Sequence, residues 1–267
     1  MSNRIDARFH ALRAHNRAAL IPFITAGDPL PEATVDVMYA LAEAGADLIE
    51  LGMPFSDPMA DGPVIQHADE RALRNKVGIA DILRWVREFR ERDTDTPIVL
   101  MGYLNPIAIH GIARFAREAM EAGVDGVLVV DCPIEEDATL RPLREAGLQR
   151  ILLTAPTTSD ARLARAVEAA EGYLYYVSFA GITGAAKLSA QHIAQRVGDL
   201  RDRATVPVAV GFGIKDAASA KAVAAFADAV VIGSALVATL ADVAGPEQAC
   251  ERAKAFLAPI RAALDRG

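Results

Sequence analysis

Two acidic residues in the first quarter of the chain have the chemistry of an acid–base pair. Glu50 lies within the apolar run 48–52 (LIELG), which predicts a buried strand. A carboxylate there costs free energy unless it is paired or protonated, so we expect its pKa to rise, which suits a general acid or base. The same position also suits a structural carboxylate that accepts hydrogen bonds from backbone groups or arginine.

Asp61 follows in a segment rich in turn-forming residues, 54–63 (PFSDPMADGP). This segment is long for a connection between a strand and a helix. Asp61, Gly62 and Pro63 together resemble the start of a helix with proline in its first turn, and this local context alone favours a capping role for Asp61 over a catalytic one. Asp57, which precedes a proline, is expected to form a turn.

Glycine-rich turns in the last third of the chain indicate a phosphate site. They follow apolar runs and read GITG at 181–184, GFGI at 211–214 and GSAL at 233–236. Glycine lets backbone N–H groups approach an anion, and a following helix N-terminus favours its negative charge. Tight turns without a ligand are the alternative.

The two tyrosines of the run 173–177 (YLYYV) that lie two positions apart, Tyr173 and Tyr175, are expected to share one face of a strand. Tyr175 could there bond a ligand or Glu50. A plain core role is equally compatible with its position.

The types of residue that common carbon–carbon lyases need are absent from the predicted strands. A Schiff-base aldolase requires a lysine on a strand, and none of the lysines lies within a predicted strand. The 5 histidines are scattered and expected at the surface, so no metal site is predicted. Cys132 is interpreted as a packing residue. Any cleavage of a carbon–carbon bond would therefore depend on carboxylates and on a substrate that accepts the electron pair itself.

Eight short apolar runs predict the strands that position these residues. The predicted strands are 19–25, 47–52, 98–103, 126–131, 150–155, 174–178, 207–212 and 229–233. Amphipathic segments lie between them, and the phrase Glu-Ala-Gly at 43–45, 121–123 and 145–147 precedes three strands, as expected of glycines that end helices. Eight alternating units predict a single-domain (β/α)8 TIM barrel over residues 1–267, with extra terminal helices near 3–14 and 247–264. A doubly wound open sheet is the alternative, although the turn after the first strand lacks its phosphate-binding fingerprint.

Composition excludes several classes of protein. The formal net charge is −7 and no basic cluster occurs, so we expect no binding to nucleic acid. The 2 cysteines fit a reducing compartment, the charged beginning of the sequence does not resemble a secretory signal, and no apolar run is long enough to span a membrane. A cytoplasmic protein is therefore expected.

Motifs along the whole chain resemble those of the tryptophan synthase alpha subunit family. The longest is ELGMPFSDPMADGP at 50–63, and the others are PFITAGDP (22–29), GYLNP (102–106), DCPIEE (131–136), GITG (181–184), GFGI (211–214) and GSA (233–235). The resemblance implies cleavage of indole-3-glycerol phosphate to indole and D-glyceraldehyde 3-phosphate. It also implies an alpha2-beta2 complex with a beta subunit, which would hold pyridoxal phosphate while this chain holds no cofactor.

The resemblance also implies a role for individual residues. Glu50 resembles the main acid–base residue, and Asp61 resembles the carboxylate that accepts from the indole N–H. The substrate pocket would include Phe23, Tyr175, Thr183 and Phe212, and Thr183 would orient Asp61. The phosphate cradle would include Gly184, Gly213, Gly233 and Ser234. Segments 54–61 and 179–193 resemble mobile lids, and the first would face the beta subunit.

One departure from the family pattern weakens part of this inference. Many relatives have an arginine-serine pair where this chain has Phe179 and Ala180, so the chain lacks a charge at the start of the second lid. The resemblance therefore supports the acid–base assignment more strongly than closure of that lid. A free-standing indole-glycerol-phosphate lyase, a non-catalytic barrel that only regulates a partner, and a phosphate-binding barrel isomerase are the alternatives. The last two do not account for the pair Glu50 and Asp61.

Overall fold

The computed structural model describes residues 3–177, 190–211 and 213–265, and within them eight parallel strands form a closed barrel. The strands are β1 (Ala19–Thr25), β2 (Ile49–Gly52), β3 (Ile98–Gly102), β4 (Gly126–Val129), β5 (Gln149–Thr154), β6 (Leu174–Val177), β7 (Val208–Gly211) and β8 (Ala229–Ile232). Each strand pairs with the next, and β8 pairs with β1. The predicted (β/α)8 barrel is confirmed, and the open doubly wound sheet is wrong because the sheet closes.

Helices surround the barrel and both predicted terminal helices are present. In the described ranges the helices are α1 (Arg4–Ala14), α2 (Thr34–Glu43), α3 (Pro63–Arg74), α4 (Ile79–Arg90), α5 (Leu104–His110), α6 (Ile112–Ala122), α7 (Asp137–Glu145), α8 (Asp160–Ala169), α9 (Ala190–Arg203), α10 (Ala217–Ala224), α11 (Ser234–Leu240) and α12 (Pro246–Leu264). The glycines of the three Glu-Ala-Gly phrases have φ of 98°, 94° and 93°, so each takes the left-handed conformation expected after a helix.

Several strands are shorter than predicted because residues at their predicted ends form side-chain contacts or turns instead of the strand ladder. β2 begins at Ile49 rather than at 47, since the Asp47 carboxylate instead accepts from the backbone N–H of Leu20 at 2.9 Å and from Arg261 at 2.8 Å. β8 ends at Ile232, and Gly233 begins the turn into α11. The C-terminal ends of the strands nevertheless lie within one or two residues of the predicted ends, apart from β6 and β7, whose next residues lie outside the described ranges.

Two apolar layers lie on the two faces of the sheet. The outer layer packs alternate strand residues against the helices, for example Ile49 and Leu51 of β2. The inner layer fills the barrel with the intervening residues, for example Ile21, Val99 and Ala209. α1 closes the N-terminal end of the barrel with three side chains that belong to this inner layer: Ile5, Phe9 and Leu12. The barrel is therefore a packed core that leaves the chemistry to its C-terminal end.

Four acidic residues make the same kind of hydrogen bond around the N-terminal end of the barrel. Each lies just before an even-numbered strand, and its carboxylate accepts from a backbone N–H of the preceding odd-numbered strand at 2.8–3.0 Å. The four residues are Asp47, Asp125, Glu171 and Asp228. All four also form ion pairs with arginine. These contacts satisfy buried N–H groups where the parallel ladder begins.

Across the described portion of the chain, no helix combines the length and the apolar character that crossing a membrane would require.

Candidate active site

Glu50 is a fully buried carboxylate inside the barrel. It lies between the outward-packed Ile49 and Leu51, so its side chain faces the interior, where it is 0% exposed. Tyr173 donates a hydrogen bond to Glu50 Oε1 at 2.6 Å, and among the described residues Oε2 has no hydrogen-bond partner. Burial raises the pKa of Glu50 from 4.5 to about 7, and the bond from Tyr173 opposes this rise. Within the described chain no arginine and no backbone N–H balances the charge, which argues against a purely structural carboxylate.

The two tyrosines near Glu50 have different contacts. Tyr173 and Tyr175 both belong to the inner layer, as their spacing predicted. The hydroxyl that bonds Glu50 is that of Tyr173, so the suggestion that Tyr175 bonds Glu50 is wrong: Tyr173 precedes β6 and lies deeper in the barrel, against Phe9 of α1. Burial raises the pKa of Tyr175, and the charges of Glu50 and Asp61 raise it further, so both carboxyl groups lie near this tyrosine.

Asp61 lies at the end of the β2–α3 loop and does not cap the following helix. The N-cap of α3 is Gly62, with Pro63 in the first turn and without a side-chain cap bond. The capping role favoured by the local sequence is therefore wrong, because Tyr103 donates its phenolic hydrogen to Asp61 Oδ2 at 2.7 Å instead. Burial raises the pKa of Asp61 above its usual value of 3.8, and the bond from Tyr103 opposes this rise.

Two glycines make room for aromatic side chains at this end of the barrel. A Cβ atom on Gly52 would lie 2.5 Å from the ring of Phe23, and a Cβ on Gly211 would lie 2.0 Å from the hydroxyl oxygen of Tyr175. Phe23 is the register neighbour of Glu50 on β1, and its ring is buried against Val237 and Ala68. A side chain at position 52 or 211 would therefore collide with Phe23 or Tyr175, so glycine is required at both positions for these rings to keep their places.

The predicted phosphate residues lie only partly within the described chain. Gly213 follows β7 with φ of 69° and has no atom within 4 Å of a Cβ position, and Gly233 follows the neighbouring β8 as the N-cap of α11, with Ser234 as the first residue of that helix. Adjacent strand ends thus bring Gly213, Gly233 and Ser234 to one side of the barrel mouth. Three candidates, Thr183, Gly184 and Phe212, lie outside the described residues, as does most of the second lid segment.

Comparison with known proteins identifies the family. Residues 9–265 match the family described as Tryptophan synthase alpha chain. The chain belongs to the tryptophan synthase alpha chain family. It is 61% identical over 264 residues to the alpha chain of Xylella fastidiosa (strain 9a5c), with 98% of each chain covered, and 62% identical over 266 residues to that of Xanthomonas axonopodis pv. citri (strain 306), with 99% of each covered. The crystal structure of tryptophan synthase subunit alpha from Legionella pneumophila str. Paris superposes with a TM-score of 0.93 at 43% identity and 100% coverage of both chains.

Membership of the tryptophan synthase alpha chain family makes this chain an enzyme subunit of tryptophan biosynthesis. Cleavage of indole-3-glycerol phosphate, a lyase reaction, follows from that membership. The residues that carry out the reaction are a separate question, and the geometry above is the basis for assigning them.

The predictions for the other reactive side chains of this alpha chain family member had mixed outcomes. Cys132 is buried in the outer apolar layer, as predicted. Among the described residues no group of three His, Cys, Asp or Glu side chains could hold a metal ion. The prediction that the histidines are surface residues is wrong for His110, which is 14% exposed and bonded to Glu118 at 2.7 Å.

Sequence reasoning missed the partners of the two carboxylates and two residues of α3. Tyr173 and Tyr103 come from distant parts of the chain, and only the fold pairs them with Glu50 and Asp61. Gln66 of α3 donates from Nε2 to the backbone carbonyl oxygen of Asp61 at 2.8 Å, and the charge of Asp61 helps to raise the pKa of Asp69 on the same helix. A signal for Asp69 was present: it lies at helical spacing with Ala68 and Ala72 on the buried face of α3, where a carboxylate is unusual.

Proposed function

We propose that Glu50 and Asp61 are the acid–base residues of the cleavage, with Glu50 moving protons and Asp61 stabilising charge on the indole nitrogen. One observation carries the proposal: Glu50 is a carboxyl group that is fully buried inside the barrel without a basic partner in the described chain. Tyr175 lies near both Glu50 and Asp61, and Asp61 lies in a loop at the C-terminal end, where substrates of this fold bind. A pKa near 7 keeps both protonation states populated at neutral pH, as a residue that first donates and then accepts a proton requires.

The reaction begins with a proton transfer to the indole ring. The protonated carboxyl group of Glu50 donates its proton to C3 of indole-3-glycerol phosphate, which converts the ring to an indolenine with positive charge at nitrogen. The Glu50 carboxylate then accepts the proton of the hydroxyl on the adjacent side-chain carbon. The bond between C3 and that carbon breaks, its electron pair restores the aromatic indole, and the side chain leaves as glyceraldehyde 3-phosphate. Positioned proton transfer of this kind accelerates a reaction by roughly 10²–10⁴-fold.

Asp61 is suited to the charge at nitrogen because one of its oxygens is already oriented. Tyr103 donates to Oδ2 of Asp61, and the Tyr103 oxygen in turn accepts from the Ala60 backbone N–H at 2.9 Å. This arrangement orients the carboxylate and leaves Oδ1 for the indole N–H. An ionised, oriented carboxylate stabilises the developing cation by preorganised electrostatics.

The remaining residues bind and orient the substrate in this proposal. Phe23 and Tyr175 provide aromatic and hydroxyl surface beside Glu50, and Phe212 and Thr183 are assigned to the same pocket from the family motifs. Backbone N–H groups at Gly213, Gly233 and Ser234, with Gly184, receive the phosphate group. Binding energy from the phosphate, which does not react, orients the carbon that does.

We also propose that the chain works in an alpha2-beta2 complex in which the beta subunit holds pyridoxal phosphate and this chain holds none. An apolar cavity of about 350 Å³ supports a docking face beside the catalytic loop. It lies between the β2–α3 loop, α3, α4 and α5, and its lining includes Met53, Phe55, Ile82, Pro106 and Ile109. Ile109, which lines this cavity, is 79% exposed, and Met59 of the loop is 85% exposed, so both leave apolar surface that a partner could cover. A cytoplasmic location stays a prediction.

Indole release from indole-3-glycerol phosphate by the purified chain, with and without an added beta subunit, tests this function. We expect release that rises sharply when the beta subunit is added. Strong release that the beta subunit leaves unchanged would instead indicate a free-standing lyase. The absence of release in both cases would indicate a barrel without catalytic activity.

A further inference from the structure

The side chain of Gln66, near the beginning of α3, donates a hydrogen bond into the loop that carries Asp61. Its Nε2 lies 2.8 Å from the backbone carbonyl oxygen of Asp61 and 3.5 Å from that of Pro58. The Asp61 N–H donates to the same Pro58 oxygen at 3.0 Å, so residues 58–61 form a turn. Gln66 therefore contacts the first and the last carbonyl group of the turn that ends in Asp61, and the proposed cleavage gives it no task.

The beginning of α3 does not itself need this donor. The first turn of a helix leaves N–H groups without partners, so it needs acceptors rather than donors. The N–H of Gln66 already donates to the carbonyl oxygen of the N-cap Gly62 at 3.0 Å. The Asp61 carbonyl lies before the N-cap and outside the helical ladder, and among the described residues only Gln66 donates to it. The contact therefore serves the loop rather than the helix.

Tyr103 holds the same turn from a different element, at the end of β3. Its hydroxyl donates to Asp61 Oδ2 at 2.7 Å and accepts from the Ala60 N–H at 2.9 Å. Tyr103 thus orients the carboxylate, whereas Gln66 holds the backbone from which that carboxylate projects. Both contacts are needed to fix the position of Oδ1, because a side chain that is held at one oxygen still moves with its backbone.

α3 is a fixed support for this contact. Ala68 and Ala72 are fully buried on the helix face that packs against the rest of the barrel. Arg71 forms two hydrogen bonds with Asp28, at 2.6 Å and 3.0 Å, which join α3 to the loop after β1. A hydrogen bond from this helix therefore ties the turn to the body of the barrel.

We propose that Gln66 is a positioning residue for the cleavage: by donating from Nε2 to the Asp61 carbonyl oxygen, it fixes the backbone that carries the Asp61 carboxylate. The proposal rests on the proposed catalytic role of Asp61. It requires an N–H donor at position 66 and not merely a side chain of that size. Methionine is unbranched and of similar length but has no N–H donor, so it should fill the space without fixing the loop.

The test compares Gln66→Met with His67→Met, which introduces the same residue at the adjacent position, where the native side chain is 66% exposed. Indole release is measured with the beta subunit present, and amide hydrogen exchange is measured for the peptide that covers 57–62. Gln66→Met is expected to lower kcat by about 10-fold with a smaller change in KM, because a misplaced catalytic group is costly, and to speed exchange of the loop. His67→Met should match the native chain in both measurements. Native kcat or native loop exchange in Gln66→Met would overturn the proposal.

A double-mutant cycle separates the positioning of Asp61 from a general effect on the fold. Gln66→Met is also made in the Asp61→Asn variant, which keeps the backbone carbonyl and loses the charge. If Gln66 acts through the Asp61 carboxylate, Gln66→Met should lower the remaining kcat by less than about twofold, whereas independent effects would again give about 10-fold. An equal fall in both backgrounds would therefore contradict the proposal. Full activity of Asp61→Asn alone would defeat the proposed function, while loop exchange in Gln66→Met would still decide whether Gln66 fixes the loop.

Discussion

The two ends of the barrel use carboxylates in opposite ways. At the N-terminal end, Asp47, Asp125, Glu171 and Asp228 each accept from a backbone N–H and form an ion pair with arginine. Inside the barrel and at its C-terminal end, Glu50 and Asp61 are each held by one tyrosine hydroxyl and have no cationic partner among the described residues, and burial raises the pKa of both. Paired carboxylates stabilise the closed sheet, whereas unpaired ones remain able to exchange protons.

Of the variants that test this difference between the two ends of the barrel, Glu50→Gln is expected to have the largest effect. It should lower kcat by about 10³-fold or more, because glutamine neither donates nor accepts the proton in transfer. The fold should survive, since glutamine has the same shape and can still accept from Tyr173. Indole release by the complex measures the effect, and near-native turnover would remove Glu50 from the mechanism.

The same variant has a second signature in stability. Glu50 has a folded-state pKa of about 7, above its ordinary value of 4.5, so the folded chain holds this proton more tightly than the unfolded chain. Its contribution to stability is therefore present below pH 4.5 and is lost as pH rises through 7, a difference of about 3 kcal/mol at ~1.4 kcal/mol per pH unit. Chemical denaturation at pH 5 and pH 8 should show this loss in the native chain and less of it in Glu50→Gln.

Asp125→Asn tests the opposite end of the barrel. The change keeps an acceptor for the Ile98 N–H but leaves Arg90, whose side chain is 10% exposed, without its carboxylate. We expect a loss of about 3 kcal/mol in the free energy of unfolding, as for other broken buried pairs, with kcat unchanged. Asp228→Asn is the matched control: it keeps the same kind of backbone bond, but its partner Arg201 is 43% exposed, so the loss should be about 1 kcal/mol or less. A large fall in kcat for either variant would contradict the division between the two ends.

Asp61→Asn should lower kcat by about 10²-fold, because a neutral amide cannot balance the charge that develops on the indole nitrogen. The melting temperature should change little, since Tyr103 can still donate to the amide oxygen and the N-cap of α3 is Gly62. A large fall in melting temperature with native kcat would instead assign Asp61 to structure.

Tyr173→Phe is expected to have the smallest effect, and it tests whether the tyrosine hydroxyl sets the pKa of Glu50. The Tyr173 hydroxyl lowers the pKa of Glu50, so its removal should raise that pKa further. Because the protonated form starts the proposed reaction, kcat/KM of the native chain should fall as pH rises through about 7. In the variant the midpoint of this fall should lie about one pH unit higher. Tyr176→Phe is the control, because Tyr176 packs in the outer layer. An unmoved alkaline limb would show that Glu50 titration does not govern the rate.

Much of the fold could be predicted because it depends on local patterns. Continuous apolar runs are typical of parallel strands that are buried on both faces, and the three Glu-Ala-Gly phrases mark helix ends whose glycines have positive φ. The predicted strand boundaries were less accurate where a side chain makes a tertiary contact. The beginning of β2 is an example, because Asp47 instead contacts Arg261, 214 positions away. The family followed from motifs whose order spans the chain, and residues 9–265 match it.

What the sequence alone determined about this protein is therefore its barrel, its family and the position of an unusual carboxylate, Glu50, inside a strand. The tertiary structure decided how the carboxylates are held. Local sequence favoured a helix cap for Asp61, yet Tyr103, which lies 42 positions away, holds it, and Tyr173, 123 positions away, holds Glu50. Hydrogen-bond partners and pKa shifts depend on which distant groups share a buried space, and closure of the barrel is what brings those groups together.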